Sequence, residues 1–199
     1  DSDAFSYLFR RAPGFMDVVT GTSLHSGGNV AHGLGAQPQL IIAKQRNRDF
    51  DWLGAANIGG STGNISLNTD DSSYTGHSGN WNTHVTSTTF DGGFVLNRHN
   101  GGLTSSNVDE YVVYLFGTLS GISKVGTYSG TGSNVDVDCG FTAGARFVLI
   151  KRTDSAGDWY VFDSSRGIVS GNDPYHLLNE NDPQVTNTDY IDPLNSGFT

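Results

Sequence analysis

The sequence predicts an all-β fold, a sandwich built twice in tandem, and three observations predict it. One is composition: there are 27 glycines but only two glutamates, Glu110 and Glu180, with Ser, Thr and Asn supplying much of the rest. Turns draw on Gly, Asn, Asp and Ser, whereas long helices draw on Ala, Leu, Glu and Lys. The second is that apolar residues come in short runs of strand length between polar turn segments. The third is that these runs occur twice, at a nearly constant offset.

Lys44 and Lys151 stand 107 residues apart. The same offset relates Leu40-Ile41-Ile42 to Phe147-Val148-Leu149, Asp51-Trp52 to Asp158-Trp159, Tyr7-Leu8-Phe9 to Tyr114-Leu115-Phe116, and Gly14 to Gly121. Downstream it drifts to 111 at Leu67-Asn68 against Leu178-Asn179, and it is 108 at Phe90 against Phe198, as loop insertions would cause. A period of this size marks a repeated structural unit. Copy one takes residues 14–120 and copy two residues 121–199. Residues 1–13 align with residues 108–120 and read as the closing strand of a preceding copy. Copy two reaches Thr199 before any counterpart of residues 111–116, so it is expected to be truncated, without its last strand, and the chain reads as a window on a longer array.

Strands are expected at residues 39–45, 51–55, 93–96 and 110–116 in copy one, and at residues 134–138, 146–151, 158–163 and 175–178 in copy two. Val135 and Val137 alternate with Asp136 and Asp138, the period-two pattern of a half-wet strand. Continuous apolar runs such as residues 147–150 and 111–116 read as central strands. Short strands with turns between them suggest a sandwich for each copy, with a barrel as the alternative.

Charge narrows the function. The formal net charge is −9, which argues against nucleic acid, since phosphate binding needs clustered Lys and Arg, and disfavours anionic membranes. No run of roughly 18 apolar residues exists to span a bilayer, so no membrane insertion is expected. Residues 1–20 lack a signal peptide's apolar core. Cys139 is the single cysteine, which excludes an internal disulfide and a cysteine metal cluster.

Copy two carries Gly140-Phe141, Lys151-Arg152, Asp158-Trp159, Asp163-Ser164-Ser165-Arg166-Gly167, Leu178-Asn179 and Ser196-Gly197-Phe198, and copy one supplies a closing Tyr111 to Phe116 run. This set resembles a domain family of virion proteins in marine tailed phages. Copy one departs at the turn, where Asn57-Ile58-Gly59-Gly60 replaces Asp-Ser-Ser-Arg-Gly, so a role for the arginine does not carry over to it. The resemblance implies two tandem jelly-roll, concanavalin A-like β-sandwich domains from a tail fibre or other appendage, hence a virion location.

Trp52 and Trp159, each preceded by an aspartate (Asp51, Asp158), are expected to be equivalent buried anchors, because large rings dominate core burial. Lys44 and Lys151 are expected to be matching structural anchors, with Lys151 ending a central strand and its ammonium group in water. Arg166 is expected to pair with Asp163 or Asp158. The candidate glycan loop is Asn80, Trp81, Asn82 and His84, with His77 nearby, because sugars need an aromatic platform among planar polar groups; a structural anchor beneath the loop is the competing reading for Trp81.

No G-x-S-x-G, P-loop or H-E-x-x-H pattern occurs. Glu110 and Glu180 form no paired-carboxylate set of the glycosidase kind. Asn134 to Gly140 is weakly like a calcium loop, but Cys139 interrupts it and no glutamate follows at the twelfth position; residues 68–73 are a second weak candidate. No catalytic residue, metal or cofactor is therefore expected. The expected partners are other copies of the chain, neighbouring repeats or virion proteins, and host-surface polysaccharide. The assembly strand is Phe5, Tyr7, Leu8 and Phe9, expected to lie in a sheet completed by another copy, either the preceding repeat of a longer chain or the open end of a neighbouring subunit. The competing readings are a secreted bacterial lectin, adhesin or filament subunit, and a polysaccharide-degrading enzyme.

Overall fold

The computed structural model describes residues 6–22, 28–49, 51–58, 61–72, 81–96 and 109–199. Among them are thirteen strands, all paired antiparallel, and two short helices. The first repeat contributes β1 (Met16–Thr22), β2 (Asn29–Ala31), β3 (Leu40–Gln45), β4 (Leu53–Ile58), β5 (Ser61–Ser66), α1 (Trp81–His84), β6 (Thr89–Asp91), α2 (Gly92–Leu96) and β7 (Glu110–Phe116). The second contributes β8 (Val137–Asp138), β9 (Phe147–Lys151), β10 (Trp159–Asp163), β11 (Tyr175–Leu177), β12 (Pro193–Leu194) and β13 (Gly197–Phe198). The fold is all-β.

In the first repeat a five-stranded sheet, ordered β1-β7-β3-β4-β5, lies over the β2-β6 pair. β7 shows why it sits in the middle. Its residues alternate strictly, so Tyr111, Val113 and Leu115 enter the core with Ile41, Ala43, Leu53, Phe90 and Phe94, while Tyr114 and Phe116 point to the opposite face. That two-sided apolar pattern is the mark of a strand covered on both faces.

In the second repeat β11-β10-β9 lies over β12-β13-β8. Val148, Phe162, Tyr175, Ile191 and Phe198 close this core. The correspondence is close. Val30 pairs with Phe90 in β2-β6, and Val137 pairs with Phe198 in β8-β13. The Ala12–Met16 bridge and the turn around Gly14 (φ 77°) are repeated by the Leu119–Ser123 bridge and Gly121 (φ 74°).

A third cluster joins the repeats. Ile42, Ile65 and Leu67, with Leu40, Tyr114 and Phe116, meet Trp159 and Leu149. The outer face of the five-stranded sheet is thus covered by the matching face of the second repeat's sheet. Gly54 makes room there: a Cβ on it would lie 2.8 Å from Ile65 Cγ1 and 3.2 Å from Leu67 Cδ1.

Two local expectations fail. Residues 93–96 form α2, not a strand; Asp91 Oδ1 accepts the Phe94 amide at 3.2 Å, a helix N-cap bond. Residues 134–136 lie outside β8, and Asp136 is instead bonded by the Thr199 hydroxyl at 2.8 Å.

Candidate functional site

Of the glycan-loop side chains, Trp81 serves the interior of the first repeat. Trp81 is only 3% exposed, and its indole N–H donates to the Pro38 carbonyl at 3.2 Å. It offers no open ring face, so the anchor reading is the one this placement supports. Asn82 Oδ1 accepts Gln37 Nε2 at 3.0 Å, and His84 stacks on Phe94 at 4.1 Å while its Nδ1 lies 3.1 Å from Asp91 Oδ2. Asn80 and His77 lie outside the described residues.

The Asp-Trp and Leu-Asn motifs close on each other in both repeats. Asn68 Nδ2 donates to Asp51 Oδ1 at 2.7 Å and Asn68 Oδ1 accepts the Trp52 amide at 2.9 Å. In the second repeat Asn179 Nδ2 donates to Asp158 Oδ1 at 2.9 Å and Asn179 Oδ1 accepts the Trp159 amide at 2.8 Å. The backbone repeats the match: the Leu67 amide donates to the Trp52 carbonyl, and the Leu178 amide to that of Trp159. Each asparagine spends donor and acceptor on one dipeptide, which fixes where the indole leaves the strand.

The two indoles then part company. Trp159 is 3% exposed and donates from Nε1 to the Ser66 carbonyl of the first repeat at 2.7 Å. Trp52 is 37% exposed and stacks on Tyr114 with centroids 6.3 Å apart. The expected equivalence of the two rings is therefore corrected. The dipeptide geometry is shared, but only Trp159 is roofed by the other repeat.

Lys151 departs from its expected place in water. Its ammonium donates to the Asp70 carbonyl at 2.9 Å and to the Gly157 carbonyl, and the Gly157 amide donates to the same Asp70 carbonyl at 2.8 Å. Burial lowers the Lys151 pKa, opposed by the charges of Asp70, Asp158 and Asp71. Lys44, its counterpart, is half-buried.

The Asp163-Ser-Ser-Arg-Gly turn has a partner that sequence reasoning missed. Asp163 Oδ1 accepts the Ser165 and Arg166 amides at 2.9 and 3.0 Å, and Oδ2 accepts Arg166 Nε at 2.6 Å. The Tyr7 hydroxyl donates to Asp163 Oδ2 at 2.9 Å and accepts from Arg166 Nη2. Burial raises the Tyr7 pKa to about 12, helped by the bond to Asp163 and opposed by Arg166. Burial alone would lift Asp163 too, but the Tyr7 hydroxyl, the Arg166 amide and the guanidinium together hold it below its ordinary value. This arrangement was findable: the motif is complete in copy two and missing in copy one. What it grips was not findable, because Tyr7 lies 156 residues from Asp163 in the chain.

Of the assembly-strand residues, Tyr7 and Phe9 lie against the second repeat of their own chain, and Phe9 also meets Phe15 and Phe116 of the first. The Tyr7 and Phe9 rings stand edge-on to Phe147, at 5.0 and 5.3 Å. They belong to no strand, and Leu8 is 93% exposed. Phe5 lies outside the described residues.

Asp136 and Asp138 are exposed, and Asp138 Oδ1 accepts the Gly140 amide at 2.8 Å. Among the described residues no three His, Cys, Asp or Glu side chains gather closely enough to hold a metal ion, and no helix is long and apolar enough to cross a membrane.

Shared clamps and turns place both copies in one plan, and the comparison with known families covers both. The chain belongs to a family described as a domain of unknown function, DUF7483. The match runs over residues 10–199 and so takes in both repeats, with Tyr7, Leu8 and Phe9 just outside it. No curated protein and no solved structure matches the chain.

Proposed function

We propose that this chain is a non-enzymatic structural module of a phage virion, from a tail fibre or other appendage, built of concanavalin A-like jelly-roll repeats. One observation carries the reading beyond the sequence resemblance. The residues that make the resemblance specific are spent on scaffold: Asp158, Trp159 and Asn179 on a clamp, Lys151 and Trp159 on the first repeat, Asp163 and Arg166 on Tyr7. Motif residues committed to internal bonds build length and rigidity. The test is immunogold labelling of virions of the phage that encodes the chain. Label along an appendage is expected. Label missing from virions and found on or around bacterial cells would replace this reading with a secreted lectin, adhesin or filament subunit.

A host-glycan contact is a second reading, favoured by one observation. The Tyr190 ring is exposed and stacked on Tyr175 at 5.6 Å, with exposed Asn187 and Asp189 beside it in sequence. A preordered ring among polar groups suits sugar stacking. A glycan array should then give hits that Tyr190→Ala abolishes. Loss of polysaccharide viscosity in the same samples would point to an enzyme.

A further inference from the structure

β9 has a strand on one side only among the described residues, yet its counterpart β3 is central. On β3 the missing neighbour is β7, in the register Leu40↔Phe116, Ile41↔Leu115, Ile42↔Tyr114. The offset of 107 turns those partners into Phe147 with Phe9, Val148 with Leu8, and Leu149 with Tyr7. The segment with that sequence already lies there. Phe9 meets Phe147 edge to face at 5.3 Å, and Tyr7 meets the same ring at 5.0 Å.

The alternation of the segment is also correct. Tyr114 and Phe116 join the cluster between the repeats, while Leu115 enters the first core and is fully buried. Tyr7 likewise touches Phe147 and Asp163, and Phe9 touches Phe147; both partners share the face of Leu149 and Trp159 on alternate positions of the β9-β10 pair. Leu8, pointing the other way, is exposed. Only the backbone ladder and the burial of Leu8 separate this arrangement from that of β7.

We propose that the open edge of β9 is a docking site for a closing strand, that Tyr7-Leu8-Phe9 of the same chain is its occupant, and that Asp163 and Arg166 hold the segment beside the edge by the Tyr7 hydroxyl. Pairing is antiparallel in the register transposed from β7 and β3, and it carries Leu8 into the core around Val148 and Phe162. An unpaired edge strand offers a row of backbone donors and acceptors to whatever extended segment reaches it, and strand addition is an established way to fill one. The inference does not depend on where the protein works.

The test uses the full 199-residue chain. Hydrogen–deuterium exchange should show the amides of residues 7–9 slowed together with the outward amides of β9. Leu8→Asp should restore fast exchange at both places and lower the melting temperature by roughly 5 °C or more, whereas Leu8→Met, which keeps the volume, should do neither. If Leu8→Asp changes neither exchange nor melting, Leu8 stays in water and the strand assignment is wrong. Slow exchange in a particle of twice the chain mass by light scattering would assign the strand to a second copy and overturn the intramolecular occupant.

Discussion

In the first repeat β7 lies between β1 and β3, and in the second β9, the counterpart of β3, ends its sheet. The effect reaches past β9. Residues 16–22 form β1 by pairing along β7, while residues 123–129, 107 positions on, form no strand. Sequence kinship is therefore not enough to make β1. A strand is stabilised by cross-strand pairs, and among the described residues no strand takes the place of β7 beside residues 123–129. The remaining pieces, β9-β10-β11 and β8-β13, keep the plan of β3-β4-β5 and β2-β6 because their partners are all present. The repeat is thus modular at the level of strand pairs, with the closing strand organising two neighbours at once.

The Trp pair is the sharpest way to break this comparison. Trp159→Ala should cost about 3–5 kcal/mol, the range for truncating a fully buried large ring, because it also strands the Ser66 carbonyl at the repeat interface. Trp52→Ala should cost about 1 kcal/mol, as for a partly exposed side chain. Chemical denaturation of both variants checks this. Equal losses would mean that the two faces are equally covered and that the contact between repeats is not what distinguishes them.

The asparagine clamps come next. Asn179→Ala removes a donor and an acceptor from a half-buried dipeptide and should cost about 1–3 kcal/mol. Asn68→Ala removes the same two bonds at an exposed site, where water takes them over, and should cost about 0.5–1 kcal/mol. A larger loss at Asn68 would show that the first repeat depends on its clamp despite having the fuller sheet.

Much of this plan was legible in the sequence. The offset of 107, the Asp-Trp and Leu-Asn pairs and the apolar runs of β3, β7, β9 and β10 mark where the repeats superpose. β5 was missed because its sequence, Ser-Thr-Gly-Asn-Ile-Ser, holds one large apolar residue, Ile65, and its strand character comes from pairing with β4. Residues 93–96 were misread because a short apolar run fits a strand and a buried helical turn equally; the deciding Asp91 cap lies outside the run. The stacking of repeat on repeat was out of reach. Leu40, Ile42, Leu149 and Trp159 announce that a face is covered, but not by what.

The smallest expected effects are pH effects, and in the second repeat one of them rests on Asp163, which stands in place of Ala56 of the first. Asp163 and Asp173 should pull stability in opposite directions. Asp163 is held below its ordinary pKa of 3.8, so its ionised form stabilises the fold above that value, and the contribution is lost as pH falls through the lowered one. Asp173 is fully buried, and its pKa is raised: burial is the main cause, opposed by the Val169 and Ile191 amides and reinforced by the charges of Asp189 and Asp192. Its neutral form fits the fold better, so stability present below 3.8 is lost as pH rises through the raised value. Asp163→Asn should therefore lower the neutral-pH melting temperature by a few degrees, and Asp173→Asn should raise it by a similar amount. Both differences should shrink as pH falls through the lowered pKa of Asp163, below which each wild-type carboxyl is protonated in folded and unfolded chains alike. A thermal-melt series in matched buffers reads all four outcomes. If Asp173→Asn destabilises at neutral pH, its carboxylate is satisfied as a charge, and burial does not govern it. If Asp163→Asn is neutral throughout, the Tyr7 and Arg166 contacts add nothing to folding, and Tyr7 and Phe9 rest on the second repeat by their aromatic rings alone.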